Sequence, residues 1–210
     1  MAKRECILAY GDVQIYNEDL ETLEPCQWLN DTVIEFVYEY TEKEEECDFI
    51  DLVRPAIVYL IANTDCDIKY TKDYVFLPLN DSDGDGGSHW SLLVYSRMEN
   101  TFMHYDSMNN RNDYVAERAI INLQKNLVCK NPKLKHVNTP QQGNGYDCGV
   151  FVLYITHLLA DRLREDQEYG GRPDPTLWEI EGSFDQRDID ECRKELFVMI
   201  SDMAAKYQIK

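Results

Sequence analysis

Apolar residues in the middle of the chain form short runs rich in valine, leucine and tyrosine, which is the pattern of buried strands. This pattern predicts strands at 74–80, 89–95 and 101–106, with a shorter one at 134–138. Residues 97–100 form a short link between the second and third of these runs. These two strands are therefore predicted to pair as an antiparallel hairpin.

Apolar residues spaced by three and four predict helices on both sides of this strand block. The predicted helices run from Thr32 to the acidic segment 42–48, from Pro55 to about Ala62, over 113–127, from Cys148 onward, and over 188–206. Thr32 and Glu35 have the spacing of a capping box, and Pro55 suits the first turn of a helix.

The remaining stretches of the chain are polar. Residues 1–25 are predicted to be irregular or short-stranded, 42–48 to be a solvated loop, and 166–187 to be a loop or excursion. The order of elements predicts an α+β fold in which a small central sheet is flanked by helices. The length of 210 residues favours a single domain over 1–210, and its core needs no disulfide bonds.

The charge balance narrows the classes of partner. The chain has 21 Lys and Arg residues against 39 Asp and Glu residues, which gives a formal net charge of −18. This excess argues against sequence-independent binding to nucleic acid, where phosphates require a basic face, and against docking on anionic membranes. It favours a partner with a basic segment.

The cysteines indicate a reducing compartment. The N-terminal residues lack the apolar segment of a secretory signal, and no run of 18 apolar residues occurs. The seven cysteines are odd in number and widely spaced, without a CxxC pair. The four histidines are scattered along the sequence, so no zinc ligand set is expected. We expect reduced thiols and residence in the cytosol or nucleus.

The segment from Gln141 to Gly149 carries the sharpest chemical signal. Two glycines and Asn144 make a tight turn, and Cys148 follows in the first turn of an apolar helix. Unpaired backbone N–H groups at a helix start favour a thiolate, which is the nucleophilic form, and they can also hold an oxyanion. Gly149 is expected to leave space on the side from which a substrate approaches. The alternative for Cys148 is a small buried structural residue.

A thiolate nucleophile needs a general base and a group that orients the base. His89 opens the second strand of the hairpin and Asp106 ends the third run. Because antiparallel neighbours place the start of one strand beside the end of the next, these two side chains are predicted to meet at the sheet rim. Taken singly, a loop-edge histidine and a turn aspartate are the alternatives.

Other chemical patterns are weaker. Asp81, Asp83 and Asp85 copy the first half of an EF-hand calcium loop, but Leu92 stands where the loop needs glutamate. Strand sequence also flanks this segment, so a flexible acidic loop is expected.

The remaining histidines offer no better base for Cys148. His104 lies among strand residues and is expected to be packed. His157 lies nine residues beyond Cys148 on one helix, a rise of about 13 Å, which is too far. His136 lies in a short predicted strand and stays open.

Three segments together resemble a known enzyme family. They are His89-Trp90, Tyr105-Asp106-Ser107 and Gln142-x5-Cys148-Gly149, and they resemble the Ulp/sentrin-specific cysteine proteases in the order His, Asp, Gln, Cys. The resemblance runs through nearly all of the chain. The sequence around His89 and Asp106 is similar to that of the deneddylase branch, which acts on the Nedd/Rub neddylation modifier. It implies a papain-like, Ulp-type fold with a small mixed sheet and the catalytic cysteine at a helix N-terminus.

The resemblance implies a role for each residue of the set. Cys148 attacks the carbonyl carbon at the end of the terminal Gly-Gly of a modifier. His89 takes the thiol proton and later protonates the leaving amine, and Asp106 orients His89. The side-chain amide of Gln142 and the backbone N–H of Cys148 form the oxyanion hole.

The resemblance also implies residues that contact the modifier. Trp90 would roof a channel that admits only Gly-Gly, and a buried core tryptophan is the alternative. Trp28 and Asp31 would contact the extended tail, where an acidic side chain suits the arginine before Gly-Gly. For Asp31 a helix N-cap is the alternative. The acidic surface would attract such a tail.

The expected function is therefore that of a thiol protease. It would mature, or remove from lysine, a ubiquitin-like modifier ending in Gly-Gly, with the Nedd/Rub modifier favoured. A SUMO-specific or ubiquitin-specific isopeptidase is the alternative of the same fold. An inactive modifier-binding module and a Cys-His acyltransferase are the alternatives of other classes. No metal or organic cofactor is implied, and a monomer is expected.

Overall fold

The computed structural model describes residues 4–45, 47–64, 66–82, 86–169 and 176–207. Its elements in chain order are β1 (Cys6–Tyr10), β2 (Val13–Tyr16), α1 (Asn17–Glu21), α2 (Asp31–Glu44), β3 (Ile50–Leu52), α3 (Pro55–Asn63), β4 (Tyr74–Asn80), β5 (Trp90–Ser96), β6 (Thr101–Tyr105), α4 (Asp113–Asn126), β7 (Lys133–His136), α5 (Cys148–Tyr169) and α6 (Gln186–Lys206). No helix within these ranges is long and apolar enough to cross a lipid bilayer.

The central sheet has the strand order β3-β4-β5-β6-β7. Strands β4, β5 and β6 are antiparallel neighbours, while β3 and β7 pair in parallel at the two edges. Leu92 pairs with Tyr105, which confirms the predicted hairpin. Strand β3 was not predicted, because three residues are too few to show a period.

The sheet has a core on each face, because side chains alternate along its strands. Val75 and Leu77 pack with α3 and α4, whereas Phe76 lies in the second core with α2, α5 and α6. The predicted α+β class, with a small mixed sheet flanked by helices, is confirmed.

The start of α2 differs from the expected cap. The Asn30 side chain accepts a hydrogen bond from the Val33 N–H at 3.1 Å, so the helix begins at Asp31. The predicted capping box at Thr32 and Glu35 is wrong, and so is the alternative of Asp31 as the N-cap. Asn30 is fixed in turn because it donates to Asp19 at 2.7 Å.

The acidic segment 42–48 is not the solvated loop that was predicted. Helix α2 continues to Glu44, and Glu42 accepts a hydrogen bond from Arg54 at 2.7 Å. Glu45 forms an ion pair with Arg164 of α5 at 3.0 Å. These carboxylates attach the end of α2 to its neighbours, while Glu46 lies outside the described residues.

The N-terminal segment and the predicted loop 166–187 both contain more regular structure than predicted. Residues 6–16 form the β1–β2 hairpin, in agreement with the short-stranded expectation, and the unpredicted α1 follows it. Helix α5 continues to Tyr169 and α6 begins at Gln186, both inside the predicted loop 166–187. Between them Trp178 is buried in the core, and its carbonyl accepts a hydrogen bond from Tyr105 at 3.0 Å.

Candidate active site

His89 and Asp106 meet at one rim of the sheet, as predicted. His89 precedes β5 and Asp106 follows β6, and His89 Nε2 lies 2.6 Å from Asp106 Oδ1 with both side chains fully buried. The N–H groups of Met108 and Asn112 each donate to this carboxylate at 2.8 Å. Burial raises the pKa of Asp106, but the hydrogen bonds from His89, Asn112 and Met108 lower it below its usual value. The carboxylate is therefore ionised at neutral pH.

The second nitrogen of His89 is available to the Cys148 thiol. Nδ1 of His89 is buried and makes no hydrogen bond of ordinary geometry with any described residue. Burial lowers the pKa of His89, but interactions with Asp106 and with the Cys148 thiol raise it to about 9. The Cys148 thiol is therefore near enough to this imidazole to affect its pKa. An imidazolium here can balance a thiolate.

Cys148 begins α5 and is 3% exposed. A Cβ atom added to its neighbour Gly149 would lie 2.7 Å from Leu29 Cβ and 3.5 Å from Trp90 Cδ1. The space beside Gly149 is thus already filled by Leu29, and the expectation that it serves substrate approach is wrong. Trp90 Nε1 donates to the Leu29 carbonyl at 3.1 Å, which anchors the half-buried indole over the first turn of α5.

Gln142 is held in one orientation on the turn that leads to Cys148. The Ser107 hydroxyl donates to Gln142 Oε1 at 2.7 Å, and Gln142 Nε2 donates to the Asn144 carbonyl at 2.7 Å. Because an amide nitrogen carries two hydrogens, Nε2 keeps a second donor. Gln141 adds a link, since it donates to the Asp106 carbonyl at 3.0 Å.

A buried ion pair fixes the residue before Cys148. Nε of Arg193, on α6, donates to Asp147 Oδ1 at 2.9 Å. A terminal guanidinium nitrogen of Arg193 lies 2.8 Å from the same oxygen. Asp147 is 1% exposed and Arg193 is 5% exposed. Asn144 and Gln186 donate to the other carboxylate oxygen. One sequence feature indicated this pair: Arg193 directly follows Cys192, an apolar position of the predicted helix over 188–206.

This arrangement matches a known family. The model of the Ulp1 protease family, C-terminal catalytic domain, matches residues 27–207. The chain belongs to the Ulp1 protease family. It is therefore a cysteine protease, which confirms the family and the class of enzyme implied by the sequence resemblance.

Relatives of this Ulp1-family protease carry two kinds of name. It is 32% identical to NEDD8-specific protease 2 of Schizosaccharomyces pombe, over 97% of this chain and 52% of that protein. It is 35% identical to NEDD8-specific protease 1 of Arabidopsis thaliana, over 74% of this chain and 75% of that protein. It is 33% identical to Sentrin-specific protease 8 of Homo sapiens, over 77% and 84%. The chain thus spans about half the length of the fission yeast relative.

A solved structure shares the fold. The C-terminal Ulp1 protease domain in complex with Smt3, the yeast ortholog of SUMO, matches with a TM-score of 0.72 and 24% identity. The match covers 97% of this chain and 90% of that one. It confirms the Ulp-type fold of the protease.

Trp28 and Asp31 lie at the surface of the protease, on either side of the residue Leu29 that packs against Gly149. Trp28 is 53% exposed, and Asp31 is exposed in the first turn of α2. Leu29 between them is buried against Gly149. The structure therefore brings both residues to the edge of the site through one packed contact.

Asp81 braces His89, a role that the sequence did not reveal. Its carboxylate accepts hydrogen bonds from the N–H groups of Ser88 at 2.6 Å and His89 at 2.9 Å. Both Asp81 oxygens have protein partners, since the Ser88 hydroxyl donates to the second. Asp81 therefore acts as part of the protein framework and not as a free acidic group, while Asp83 and Asp85 of the calcium-like pattern lie outside the described residues.

The ion pair of Arg193 with Asp147 should contribute most to the stability of the turn that precedes Cys148. We expect Arg193→Met to lower the free energy of unfolding by about 3–5 kcal/mol, because it leaves a buried carboxylate without its cation. Urea unfolding followed by tryptophan fluorescence measures the change. The control is Arg187→Met, which removes a guanidinium that is 90% exposed in its pair with Asp185 and should leave stability nearly unchanged, because water screens such a pair. Equal losses in both variants would contradict the expectation.

Proposed function

We propose that this protease cleaves the bond after the terminal Gly-Gly of a NEDD8-type ubiquitin-like modifier. The same chemistry would trim a precursor and release a lysine side chain from an isopeptide bond. The observation that carries the proposal is the buried contact of His89 with Asp106, which leaves the other imidazole nitrogen available to the thiol at the start of α5. The relatives named NEDD8-specific proteases support the choice of modifier.

The proposed reaction proceeds through an acyl-enzyme. The Cys148 thiolate attacks the glycine carbonyl carbon, and the carbonyl oxygen becomes an oxyanion. As the C–N bond breaks, His89 gives its proton to the leaving amine and a thioester remains. His89 then takes a proton from water, which attacks the thioester carbonyl carbon. The C–S bond breaks, the modifier carboxylate leaves, and the Cys148 thiolate is restored beside the protonated imidazole. Asp106 keeps the imidazole oriented through both steps.

The proposed oxyanion hole uses two donors. One is the backbone N–H of Cys148 at the start of α5, which has no partner within the helix. The other is the second hydrogen of Gln142 Nε2, whose amide is oriented by Ser107. Donors that are fixed before the reaction stabilise charge without rearrangement.

We expect Gln142→Ala to lower kcat by about 10²- to 10³-fold with a much smaller change in KM, because the lost donor acts on the transition state. Steady-state cleavage of a modifier with a fluorogenic C-terminal amide measures both constants. Ser107→Ala keeps the donor but frees the amide to rotate, so its loss of kcat should be smaller. A Gln142→Ala variant that loses only affinity would place this side chain in substrate binding instead.

The modifier tail is proposed to pass Trp90 and to reach Trp28 and Asp31. Trp90 is fixed over the first turn of α5 by its bond to Leu29, which supports a role as the roof of a narrow channel. The exposed indole of Trp28 offers an apolar contact and Asp31 a partner for an arginine of the tail.

We further propose that residues 1–210 form a single catalytic domain that acts as a monomer in the cytosol or nucleus. Seven free cysteines support a reducing compartment.

A panel of modifiers tests the proposed substrate. NEDD8, SUMO and ubiquitin, each ending in a thiol-reactive electrophile, are incubated with the wild type and with Cys148→Ala, and adducts are measured by mass. We expect a NEDD8 adduct with the wild type and none with Cys148→Ala. A preference for SUMO or ubiquitin would overturn the choice of modifier but not the mechanism. No adduct with any of the three would overturn the proposed function.

A further inference from the structure

Three side chains of types that can bind a metal ion meet near the rim of the sheet that carries His89 and Asp106. His104 of β6 and His136 of β7 are register partners in a parallel strand pair, so their rings lie side by side with centroids 5.7 Å apart. Asp113, the first residue of α4, reaches the same point. Sequence spacing did not indicate clustered ligands, because 32 residues separate the two histidines along the chain. Pairing of β6 with β7 nevertheless brings the two histidines together.

The facing atoms lack ordinary hydrogen-bond partners. Asp113 Oδ1 lies 3.2 Å from His104 Nδ1 and 3.0 Å from His136 Nδ1. Nevertheless His104 Nδ1 and Asp113 Oδ1 are both buried without a hydrogen bond of acceptable geometry to any described residue. Buried polar atoms normally have a partner, and an unsatisfied pair that converges on one point leaves room for a partner such as a water molecule or an ion.

The other nitrogen of His104 has the environment of a metal ligand. His104 Nε2 lies 3.0 Å from Ser91 Oγ, which also accepts a hydrogen bond from the Asn112 side chain at 3.1 Å. When Nε2 carries the proton and donates it to Ser91, Nδ1 presents a free lone pair toward Asp113. Metal-ligating histidines are commonly oriented by such a donated hydrogen bond.

We propose that His104 Nδ1, His136 Nδ1 and Asp113 Oδ1 bind one zinc ion. Bonds of about 2.0–2.2 Å in a tetrahedral shell place ligand atoms about 3.3 Å apart. The distances of 3.2 Å and 3.0 Å are close to this value, and all three atoms lie within 4.8 Å of one another. Two imidazoles and one carboxylate form a ligand set that suits Zn²⁺, with the fourth position left to water.

The position of this site ties it to the catalytic rim. The side chains of His136 and Asp113 are each 36% exposed, so an ion can enter from solvent. Asp113 follows Asn112, whose N–H binds the Asp106 carboxylate. A bound ion would hold β6, β7 and the start of α4 together behind Asp106, and would stabilise the protein locally without contact with substrate.

Zinc affinity of the full chain tests the site independently of protease activity. The Cys148→Ala protein, which lacks the reactive thiol as a competing ligand, is titrated with Zn²⁺ against a chromogenic chelator in a thiol-free reductant. We expect one ion per chain, and His136→Gln in this background should weaken binding by about tenfold or more, at least the loss seen when only a supporting partner of a ligand is removed. His157→Gln is the matched control, because this half-exposed histidine of α5 pairs with Glu45 instead. Binding there should be unchanged.

Co²⁺ identifies the ligand type in the same proteins. We expect visible d–d absorption without the intense near-ultraviolet band of thiolate ligation, and loss of that absorption in His136→Gln. If circular dichroism shows that His136→Gln is unfolded, Asp113→Asn takes its place with the same expected loss. Absence of stoichiometric binding, equal affinity in the cluster variant and the control, or a thiolate band would each overturn the site.

Discussion

Cys148→Ala should lower kcat/KM for cleavage of the modifier by about 10⁴-fold or more, because the acyl-enzyme cannot form without the thiol. The fold should survive, since the cysteine is a small buried residue at the start of α5 and alanine is a good helix former. Initial rates on a fluorogenic modifier amide measure the loss, and the unfolding midpoint reports on the fold.

The matched control for this prediction is Cys6→Ala. Cys6 is a half-buried thiol on β1, in the two-stranded sheet separate from the catalytic rim. It should keep wild-type activity. Activity that persists in Cys148→Ala and falls in another cysteine variant would move the nucleophile away from α5.

Asp106→Asn should lower kcat by about 10²- to 10⁴-fold, because an amide cannot satisfy all the donors that converge on the carboxylate. Asp106 accepts hydrogen bonds from the imidazole and from the N–H groups of Met108 and Asn112. An amide NH₂ in the Oδ1 position would face the Met108 N–H and select the wrong imidazole tautomer. In the Oδ2 position it would face the Asn112 N–H. Either orientation leaves two donors in contact.

The pH profile separates this effect from a general loss of structure. The wild-type pKa of His89 is raised to about 9, in part by Asp106. Because the leaving amine needs the imidazolium proton, the alkaline limb of kcat/KM should shift to lower pH in Asp106→Asn. Asp51→Asn, which removes a carboxylate near Lys72 on the edge strand β3, should keep the wild-type profile. An unshifted alkaline limb in Asp106→Asn would remove Asp106 from the control of His89.

The approach of His89 to Asp106 could be predicted because local rules determine it. Both residues flank a hairpin with a short connection, and antiparallel pairing then decides which strand ends are neighbours. The helix at Pro55 was likewise predictable, since proline at the first turn and the apolar spacing agree. Confirmed features of this kind depend on residues that are close in sequence or joined by one turn.

Contacts across long sequence separations could not be predicted in the same way. Arg193 reaches Asp147 over 46 residues, and Arg164 reaches Glu45 over 119. Neither spacing carries a periodic signal, and each pair is decided by how two helices pack. The same reason explains why the acidic segment was predicted to be solvated and why Gly149 was assigned to substrate approach, although Leu29 occupies that space.

The contact of Leu29 with Gly149 bears on which lengths of modifier tail the enzyme would accept. Leu29 separates the exposed Trp28 from the start of α2, and its side chain rests on the residue after Cys148. The surface proposed to bind a modifier tail and the sulfur proposed to cleave it are therefore linked through one packing contact. This link sets how many tail residues can lie between that surface and the scissile bond. The enzyme would then select its substrate by the length of the modifier tail as well as by its sequence.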